Sequence, residues 1–321
     1  MTSPQIDGDR RQGVPAHLGT QLPGTQLQGT QLPGTDRTDQ DLDALAGRLL
    51  ARMRDLGSVL VAFSAGADSA LVLAAAARAL GPAKVGAATA VSASLAEGES
   101  AQARAFADRL GVRWLPVPTQ EMERAGYRAN AGDRCFHCKA ELLDRLAPVA
   151  VQHGLAHVAT GTNADDAVAG FRPGIRAAAE RGAVTPLLDA GLTKADVRAL
   201  SRAWGLPTWN KPAAACLSSR IAYGVGITGH GLARVGRAER SVREVLTGAG
   251  RRCDDLRVRD LGSDRARVEL DADLLPDLTP QLREDLLAAV TGCGFEAAEL
   301  DPRGFRSGSM NELLDDAARW R

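Results

Sequence analysis

The sequence predicts an α/β protein with a doubly wound, mostly parallel sheet and a smaller C-terminal α+β domain. Short unbroken apolar runs alternate with helical patterns over roughly the first two thirds of the chain. The first of these runs leads directly into a polar turn and then an Ala/Leu-rich helix. Beyond about residue 226 the pattern changes to helix, two strands, helix and strand, which indicates a second domain.

Composition excludes several classes of protein. The chain has 321 residues, 45% of them hydrophobic, with a formal net charge of zero, so about two domains are expected and neither nucleic acid nor an anionic membrane is an expected partner. There is no uninterrupted apolar span of ~20 residues and no signal-peptide pattern. The five cysteines are an odd number spread over a long chain, which argues against a disulfide framework. We therefore expect a cytoplasmic protein.

Residues 1–38 are predicted to be a disordered tail. They contain the repeat GTQLPGTQLQGTQLPGT, which has too few bulky apolar groups to offset the entropy of ordering it. The α/β domain is then expected over residues 39–215 and the C-terminal domain over 216–321.

The elements follow from periodicity. Leucines with helical spacing start the first helix, with Asp39 or Asp41 as its cap. Further strands are predicted at 59–63, 84–91, 114–117, 157–160, 256–259, 267–270 and 295–300. Helices are predicted from the polar turn to Leu80, then at 97–110, 138–153, 232–246 and 281–291, with another opened by a Thr193/Asp196 capping box.

The polar turn is a candidate phosphate-binding loop. It reads Ser64-Ala-Gly66-Ala-Asp68-Ser69, between a buried strand and a helix N-terminus, where unpaired N–H groups favour anions. The two serines add hydroxyl donors, Gly66 allows close approach of phosphate, and Asp68 is a candidate magnesium ligand. Alanine at position 65 is costly if that position needs a positive φ.

A second polar segment follows the strand at 157–160. It reads Gly161-Thr162-Asn-Ala-Asp165-Asp166, at the sheet edge where α/β proteins usually bind ligands. Either aspartate is a candidate second metal ligand or a helix cap.

Cysteines form the third candidate group. Cys135 and Cys138 have CxxC spacing, which suits zinc, a cluster, redox chemistry or an inert role. Cys216 lies beside two serines and Arg220, which can stabilise a thiolate. Three thiolates suit a [4Fe–4S] cluster with one open iron, or equally a nucleophile with a zinc or redox pair nearby. Cys253 and Cys293 are interpreted as structural.

The combined motifs resemble the LarE family of PP-loop sulfur transferases, which act in nickel-pincer nucleotide biosynthesis. The matching segments cover most of the chain after residue 58, and they are SAGADS, RCFHCK, GTNADD, FRPG, the long block from Thr185 to Gly224, and GFRSGSMN. The resemblance implies a PP-loop fold and a homo-oligomer, with other cofactor-biosynthesis proteins as partners and a nucleotide-like small molecule as substrate. It implies that ATP, bound with Mg²⁺ at Ser64, Gly66, Asp68, Ser69, Gly161, Thr162 and Asp165, adenylates a carboxylate of a pyridinium dicarboxylate mononucleotide.

Two sulfur sources are implied for such a reaction. Either Cys216 gives up its own sulfur, or Cys135, Cys138 and Cys216 hold an iron–sulfur cluster that carries a sulfide; with all three thiols present, we favour the cluster. Arg220 is expected to steady the acyl-adenylate or the thiolate of Cys216. Arg257, Arg259 and Arg306 are candidates for the substrate phosphate, which guanidinium groups match, or are solvated surface residues. The alternatives are a tRNA-thiolating enzyme, an amidating synthetase and a non-catalytic nucleotide sensor.

Overall fold

A computed structural model describes residues 38–168, 173–211, 215–306 and 308–313. Except for Thr38, the predicted disordered tail lies outside these residues, as do Phe171 and Arg172 of the FRPG motif. In the part of the chain that is described, no helix combines the length and the apolar character needed to cross a membrane.

The central sheet is parallel throughout. Its strands are β1 (Val59–Ala62), β2 (Val85–Val91), β3 (Arg113–Pro118) and β4 (His157–Ala159), in the order β3-β2-β1-β4. Val59 and Val61 enter one hydrophobic core and Leu60 and Ala62 enter another, because successive side chains of a strand point to opposite faces. Both faces of β1 are therefore covered, and the predicted α/β class is confirmed.

Helices cover both faces of this sheet. They are α1 (Asp39–Leu56), α2 (Ala67–Leu80), α3 (Glu99–Arg109), α4 (Ala125–Ala129), α5 (Arg134–Gln152), α6 (Ala164–Val168), α7 (Pro173–Glu180), α8 (Pro186–Asp189) and α9 (Lys194–Ala203). Helices α1, α2 and α9 pack in the core of Val59 and Val61. Helix α5 lies on the opposite face and contributes Leu146 and Ala150 to the core of Leu60.

Among the predicted helix starts that differ from the structure, two affect the capping residues and the cysteines. The first helix is capped by Thr38, one residue before the predicted Asp39. The Thr38 hydroxyl accepts from the unpaired N–H group of Asp41, and the Asp41 side chain completes a capping box. Helix α5 begins at Arg134 and not at Cys138. Both cysteines of the CxxC motif therefore lie on one helix, three residues apart, and so on one face.

The C-terminal part contains a small mixed sheet. Strands β5 (Arg257–Asp260) and β6 (Arg265–Glu269) are antiparallel, and β7 (Ala297–Leu300) pairs with β6 in parallel. With α10 (Gly229–Gly248) and α11 (Pro280–Thr291) it forms a further core. Tyr127 of α4 is also buried in this core, so the chain around the CxxC motif packs directly against the C-terminal part.

Candidate active site

The phosphate loop is held in shape by its own hydroxyls. Ser69 Oγ accepts a hydrogen bond from the Ser64 backbone N–H (3.3 Å) and donates one to the Gly66 carbonyl (3.2 Å). Ala65 has a φ of 54°, a left-handed conformation that disfavours residues with a Cβ. The turn lies directly before α2, where the first N–H groups of a helix favour an anion.

Gly161 is required by a close approach between two chain segments. A Cβ at this position would lie 2.9 Å from the Ser69 backbone nitrogen and 3.0 Å from Asp68 Cβ. Because real Cβ atoms do not come so close to backbone, only glycine lets the end of β4 contact the start of α2. Gly161 thus places the segment that includes Thr162 beside the phosphate loop.

Asp68 is engaged by two residues that sequence reasoning did not identify. Asn163 Nδ2 donates to Asp68 Oδ1 at 3.1 Å, and Lys194 Nζ forms a salt bridge with Oδ2. Asn163 is buried, whereas the Lys194 side chain is 36% exposed. The candidate magnesium ligand is therefore already paired with an ammonium group.

The two candidate aspartates of the second segment act as helix caps in this structure. The Asp165 carboxylate accepts from the Lys194 backbone N–H at 2.8 Å, at the start of α9. Asp166 and Asn163 exchange hydrogen bonds at the start of α6, at 3.1 and 3.3 Å. This geometry matches the helix-cap alternative.

Cys216 lies at the start of a one-turn helix, Leu217–Arg220. Its carbonyl accepts from the Ser219 hydroxyl at 2.7 Å and from Arg220 Nη1 at 3.1 Å. Arg220 is buried and forms a two-point salt bridge with Glu239, at 2.8 and 3.2 Å. Its guanidinium thus fixes the backbone around Cys216, and the Cys216 side chain remains exposed.

Arg134 is a cation in contact with one of the thiols. Its Nη2 lies 3.9 Å from Cys135 Sγ, and its Nη1 donates to the Ser218 carbonyl at 3.0 Å. Burial by itself would lower the pKa of Arg134, but the thiols of Cys135 and Cys216 raise it above its ordinary value. Arg134 immediately precedes the CxxC motif in the sequence, and this was the only signal of its role.

The half-buried residues Cys138 and Lys139 both line the cavity of the site. Burial raises the pKa of Cys138 well above its ordinary value, and the nearby Cys216, Glu121 and Cys135 add to the effect. Burial lowers the pKa of Lys139, although the negative charges of Cys138, Cys135 and Asp166 would raise it. Cys135, Cys138 and Cys216 are therefore close enough to influence one another, with Cys138 half-buried and the other two residues exposed.

One cavity of about 390 Å³ joins the loop to the cysteines. Its wall includes Ser64, Asp68, Ser69, Gly161, Thr162 and Asp166 from the sheet edge, and Lys139, Cys138 and Cys216 from the sulfur side. A volume of this size falls within the ~300–1,000 Å³ range of small-molecule sites. The structure thus brings the candidate phosphate loop and two of the three candidate thiols into one chamber.

Glu121 also lines this cavity, and sequence reasoning missed it. The side chain is 3% exposed, and its Oε1 accepts hydrogen bonds from the hydroxyls of Ser92 and Ser94. No cation pairs with it among the described residues, although a buried carboxylate normally has such a partner. A solitary glutamate in a connecting segment gave no sequence signal.

The three predicted phosphate-binding arginines lie in the C-terminal part and are paired with acidic residues. Arg259 binds Glu269 at 2.7 Å and donates to the Ser219 carbonyl at 3.1 Å. Arg257 lies 3.8 Å from Asp255, and Arg306 lies 3.6 Å from Asp301. Burial lowers the pKa of Arg257, and the nearby charges of Arg220 and Arg259 lower it further. Arg257 and Arg259 thus cluster beside the Cys216 turn.

Within the described residues, no three His, Cys, Asp or Glu side chains converge closely enough to hold a metal ion. The three thiols are neighbours, but in this structure they do not form a finished ligand set.

Comparison with known proteins gives two relatives that each match more than four fifths of the chain. An uncharacterized protein of Synechocystis sp. is 40% identical over 261 residues, which span 81% of this chain and 94% of that protein. The pyridinium-3,5-bisthiocarboxylic acid mononucleotide synthase of Lactiplantibacillus plantarum is 34% identical over 269 residues, 84% of this chain and 94% of the synthase. No protein-family model matches the chain.

Proposed function

The chain belongs to the LarE family, the family of the Lactiplantibacillus plantarum synthase, and we propose that it is an ATP-dependent sulfur transferase acting on a pyridinium dicarboxylate mononucleotide. It converts a carboxylate of this substrate into a thiocarboxylate. The name of the relative supports the substrate class and the product. The ATP dependence and the source of the sulfur are proposed from the site.

The observation that carries the proposal is the shared cavity. A carboxylate does not react with sulfur nucleophiles until one of its oxygens becomes part of a good leaving group. A carboxylate oxygen attacks the α-phosphorus of ATP, the bond to the β-phosphate breaks, and pyrophosphate leaves. Sulfur then attacks the acyl carbon and AMP leaves with the oxygen. Where Cys216 is the donor, its Cβ–S bond then breaks with loss of the proton on Cα, which releases the thiocarboxylate and leaves dehydroalanine. Both steps need the phosphate loop and the sulfur donor to face one chamber, as Ser69 and Cys216 do.

At the nucleotide end, we assign the triphosphate to the loop Ser64–Ser69 and Mg²⁺ to Asp68. Carboxylate and hydroxyl oxygens are ligands that Mg²⁺ prefers, usually together with phosphate oxygens of the nucleotide, so Asp68 and Ser69 suit the ion. When bound, Mg²⁺ would neutralise negative charge on the phosphates. Gly161 and Thr162 would line the same end.

At the sulfur end, we propose Cys216 as the sulfur donor or as one ligand of a cluster with Cys135 and Cys138. Three thiolates are a donor set that suits a [4Fe–4S] cluster with one open iron. When bound, the cluster would supply a sulfide in place of the sulfur of Cys216. Arg134 would offset the negative charge of thiolates on Cys135 and Cys216, and Arg220 holds the Cys216 backbone.

The substrate phosphate is assigned to Arg257, Arg259 and Arg306. Arg259 reaches the carbonyl of Ser219, next to the Cys216 turn, so a phosphate near it would place the rest of the substrate towards Cys216. Guanidinium groups bind phosphate with two parallel hydrogen bonds.

The proposal is tested by anaerobic incubation of the protein with ATP, Mg²⁺ and the pyridinium dicarboxylate mononucleotide. We expect AMP and pyrophosphate in equal amounts, together with a product heavier by the mass difference between sulfur and oxygen. Cys216→Ala should abolish the thiocarboxylate, whereas Cys293→Ala, the matched control outside the cavity, should retain it. Absence of pyrophosphate release from the parent protein would reject ATP activation.

The same samples discriminate between the two sulfur sources. Iron and labile sulfide that are lost in Cys135→Ala/Cys138→Ala would show the cluster. A protein without iron whose Cys216 peptide is lighter by the elements of hydrogen sulfide after turnover would show that Cys216 is consumed.

A further inference from the structure

The salt bridge between Asp68 and Lys194 has a consequence for metal binding. Asp68 is the carboxylate at the start of α2 that we assign to Mg²⁺, yet Lys194 Nζ occupies its Oδ2 and Asn163 Nδ2 occupies its Oδ1. A divalent cation and an ammonium group repel each other at such short range. Each carboxylate oxygen of Asp68 keeps a second lone pair for a metal ion, but the ammonium group weakens metal binding there by repulsion.

The position of Lys194 is fixed at its backbone and adjustable at its charged end. It is the first residue of α9, where Thr193 and Asp196 form a capping box. Its backbone N–H donates to the Asp165 carboxylate at 2.8 Å. The side chain, by contrast, is 36% exposed, and an exposed four-carbon stem can change rotamer at little cost. The ammonium group can thus move while its anchor stays in place.

The second lysine close to the site, Lys139, interacts with charged groups other than Asp68. Lys139 lines the cavity, but the charges that influence its pKa are those of Cys138, Cys135 and Asp166. In the described residues, Lys194 is the cation that forms an ion pair with Asp68.

We propose that Lys194 is a positioning residue that holds Asp68 while no nucleotide is bound and moves to the phosphates when the nucleotide arrives with its metal ion. The proposal rests on the ATP site of the proposed function. Before the nucleotide binds, the ammonium group keeps free divalent cations away from Asp68. The triphosphate then provides the negative charge that draws Lys194 away and brings the metal ion to Asp68. Metal and nucleotide therefore bind together.

The test is a titration with Mn²⁺ in the absence of nucleotide, with the free ion measured by electron paramagnetic resonance. The parent protein is expected to bind Mn²⁺ weakly. Lys194→Met keeps the length of the side chain and removes its charge, and we expect it to bind Mn²⁺ about tenfold more tightly or better, since one nearby charge changes an ionic equilibrium by about one to three powers of ten. The double variant Asp68→Asn/Lys194→Met should lose this gain.

Lys211→Met is the matched control, because Lys211 donates to Gln102 at 3.0 Å and makes no contact with Asp68. It should bind Mn²⁺ as the parent does. Equal Mn²⁺ affinity in the parent and in Lys194→Met would overturn the proposal, and so would a gain that survives Asp68→Asn. Thermal unfolding of each variant verifies that it is folded.

Calorimetry of ATP binding in the presence of EDTA tests the second half of the proposal. Loss of Lys194 should weaken metal-free ATP binding about tenfold, by the same electrostatic argument, and an unchanged affinity would contradict the transfer of Lys194 to the phosphates. Both measurements are independent of sulfur transfer. A protein that fails to release pyrophosphate but shows the Mn²⁺ gain would refute the proposed function and leave the role of Lys194 standing.

Discussion

At the scale of single residues, the phosphate loop contains a strained alanine. Ala65 is buried and has a φ of 54°, in the region that glycine enters freely and alanine enters at a cost. The loop makes four hydrogen bonds among Ser64, Gly66 and Ser69. These contacts, together with the buried strand and helix on either side, hold Ala65 in place.

Replacing Ala65 with glycine should therefore stabilise the protein. The left-handed conformation costs an L-residue about 1–2 kcal/mol, which glycine avoids. The greater freedom of glycine in the unfolded chain lowers stability by about 0.4–1 kcal/mol and so offsets part of this gain. We expect the free energy of unfolding, measured by urea denaturation, to rise by up to about 1.5 kcal/mol.

Ala77→Gly, in the interior of α2, is the control and should lower the free energy of unfolding by about 0.5–1 kcal/mol. If Ala65→Gly is destabilising to the same extent, then the positive φ does not strain the loop.

The sequence predicts those site residues whose chemistry is carried by neighbours in the chain. Ser64, Gly66, Asp68 and Ser69 form one continuous motif, and their contacts with one another follow from it. Lys194 and Asn163 were missed because their meaning depends on Asp68, which is 126 and 95 residues away in the chain. Such contacts arise from the order of the parallel strands, and a single sequence without the fold does not show which polar residues will meet.

At the scale of elements, two helices begin with the same capping motif, and one of them also positions a residue of the candidate site. Helix α1 starts with a Thr38/Asp41 capping box and α9 with a Thr193/Asp196 capping box. The second was predicted from its spacing and is confirmed. The first was assigned to the wrong residue, since Asp39 and Asp41 are also good caps and only the backbone conformation identifies Thr38 as the non-helical residue.

Thr193→Ala should weaken nucleotide binding as well as stability. Loss of a capping hydroxyl costs about 1 kcal/mol, and in α9 it also loosens the first residue of the helix, Lys194, whose ammonium binds Asp68. We expect a reduced free energy of unfolding and a several-fold weaker affinity for ATP. Urea denaturation and calorimetry measure the two effects.

Thr38→Ala removes the equivalent cap from α1 and serves as the matched control. It should cost a similar ~1 kcal/mol of stability and leave ATP affinity unchanged, because α1 contributes no residue to the wall of the cavity. Equal losses of ATP affinity in the two variants would mean that the effect of Thr193 is general destabilisation.

At the scale of the whole molecule, the candidate sulfur site depends on contacts between the N-terminal α/β part and the C-terminal part. Asn130 lies between α4 and α5, is fully buried, and adopts a φ of 52°. Its Nδ2 donates to the carbonyls of Ile221, Ala222 and Val225, and its Oδ1 accepts from Arg134 at 2.8 Å. One side chain thus ties the CxxC helix to the segment that follows Cys216.

The sequence could not predict this joint. The pattern of strands and helices indicated two parts, and the structure has both sheets, but the pattern did not fix the boundary between the two parts within residues 205–228. Asn130 is 91 residues from Ile221, the first of its acceptors, so in the sequence it cannot be told from an ordinary turn asparagine. The relative position of Cys138 and Cys216 is therefore a property of the folded molecule, although each thiol was identified from its own motif.

Asn130→Gly should allow adenylation of the substrate to continue while sulfur transfer fails. Glycine accepts the positive φ, so the change isolates the loss of the side chain, which leaves buried carbonyls without donors at about 1–3 kcal/mol each. With Cys216 displaced from the cavity, acyl-adenylate should still form but should be hydrolysed before sulfur reaches it. Pyrophosphate should then exceed thiocarboxylate, whereas the parent makes equal amounts.

Ser263→Gly, at an exposed residue with a φ of 47°, is the control and should keep the two products equal. Equal products from folded Asn130→Gly would show that the joint stabilises the molecule without positioning the sulfur.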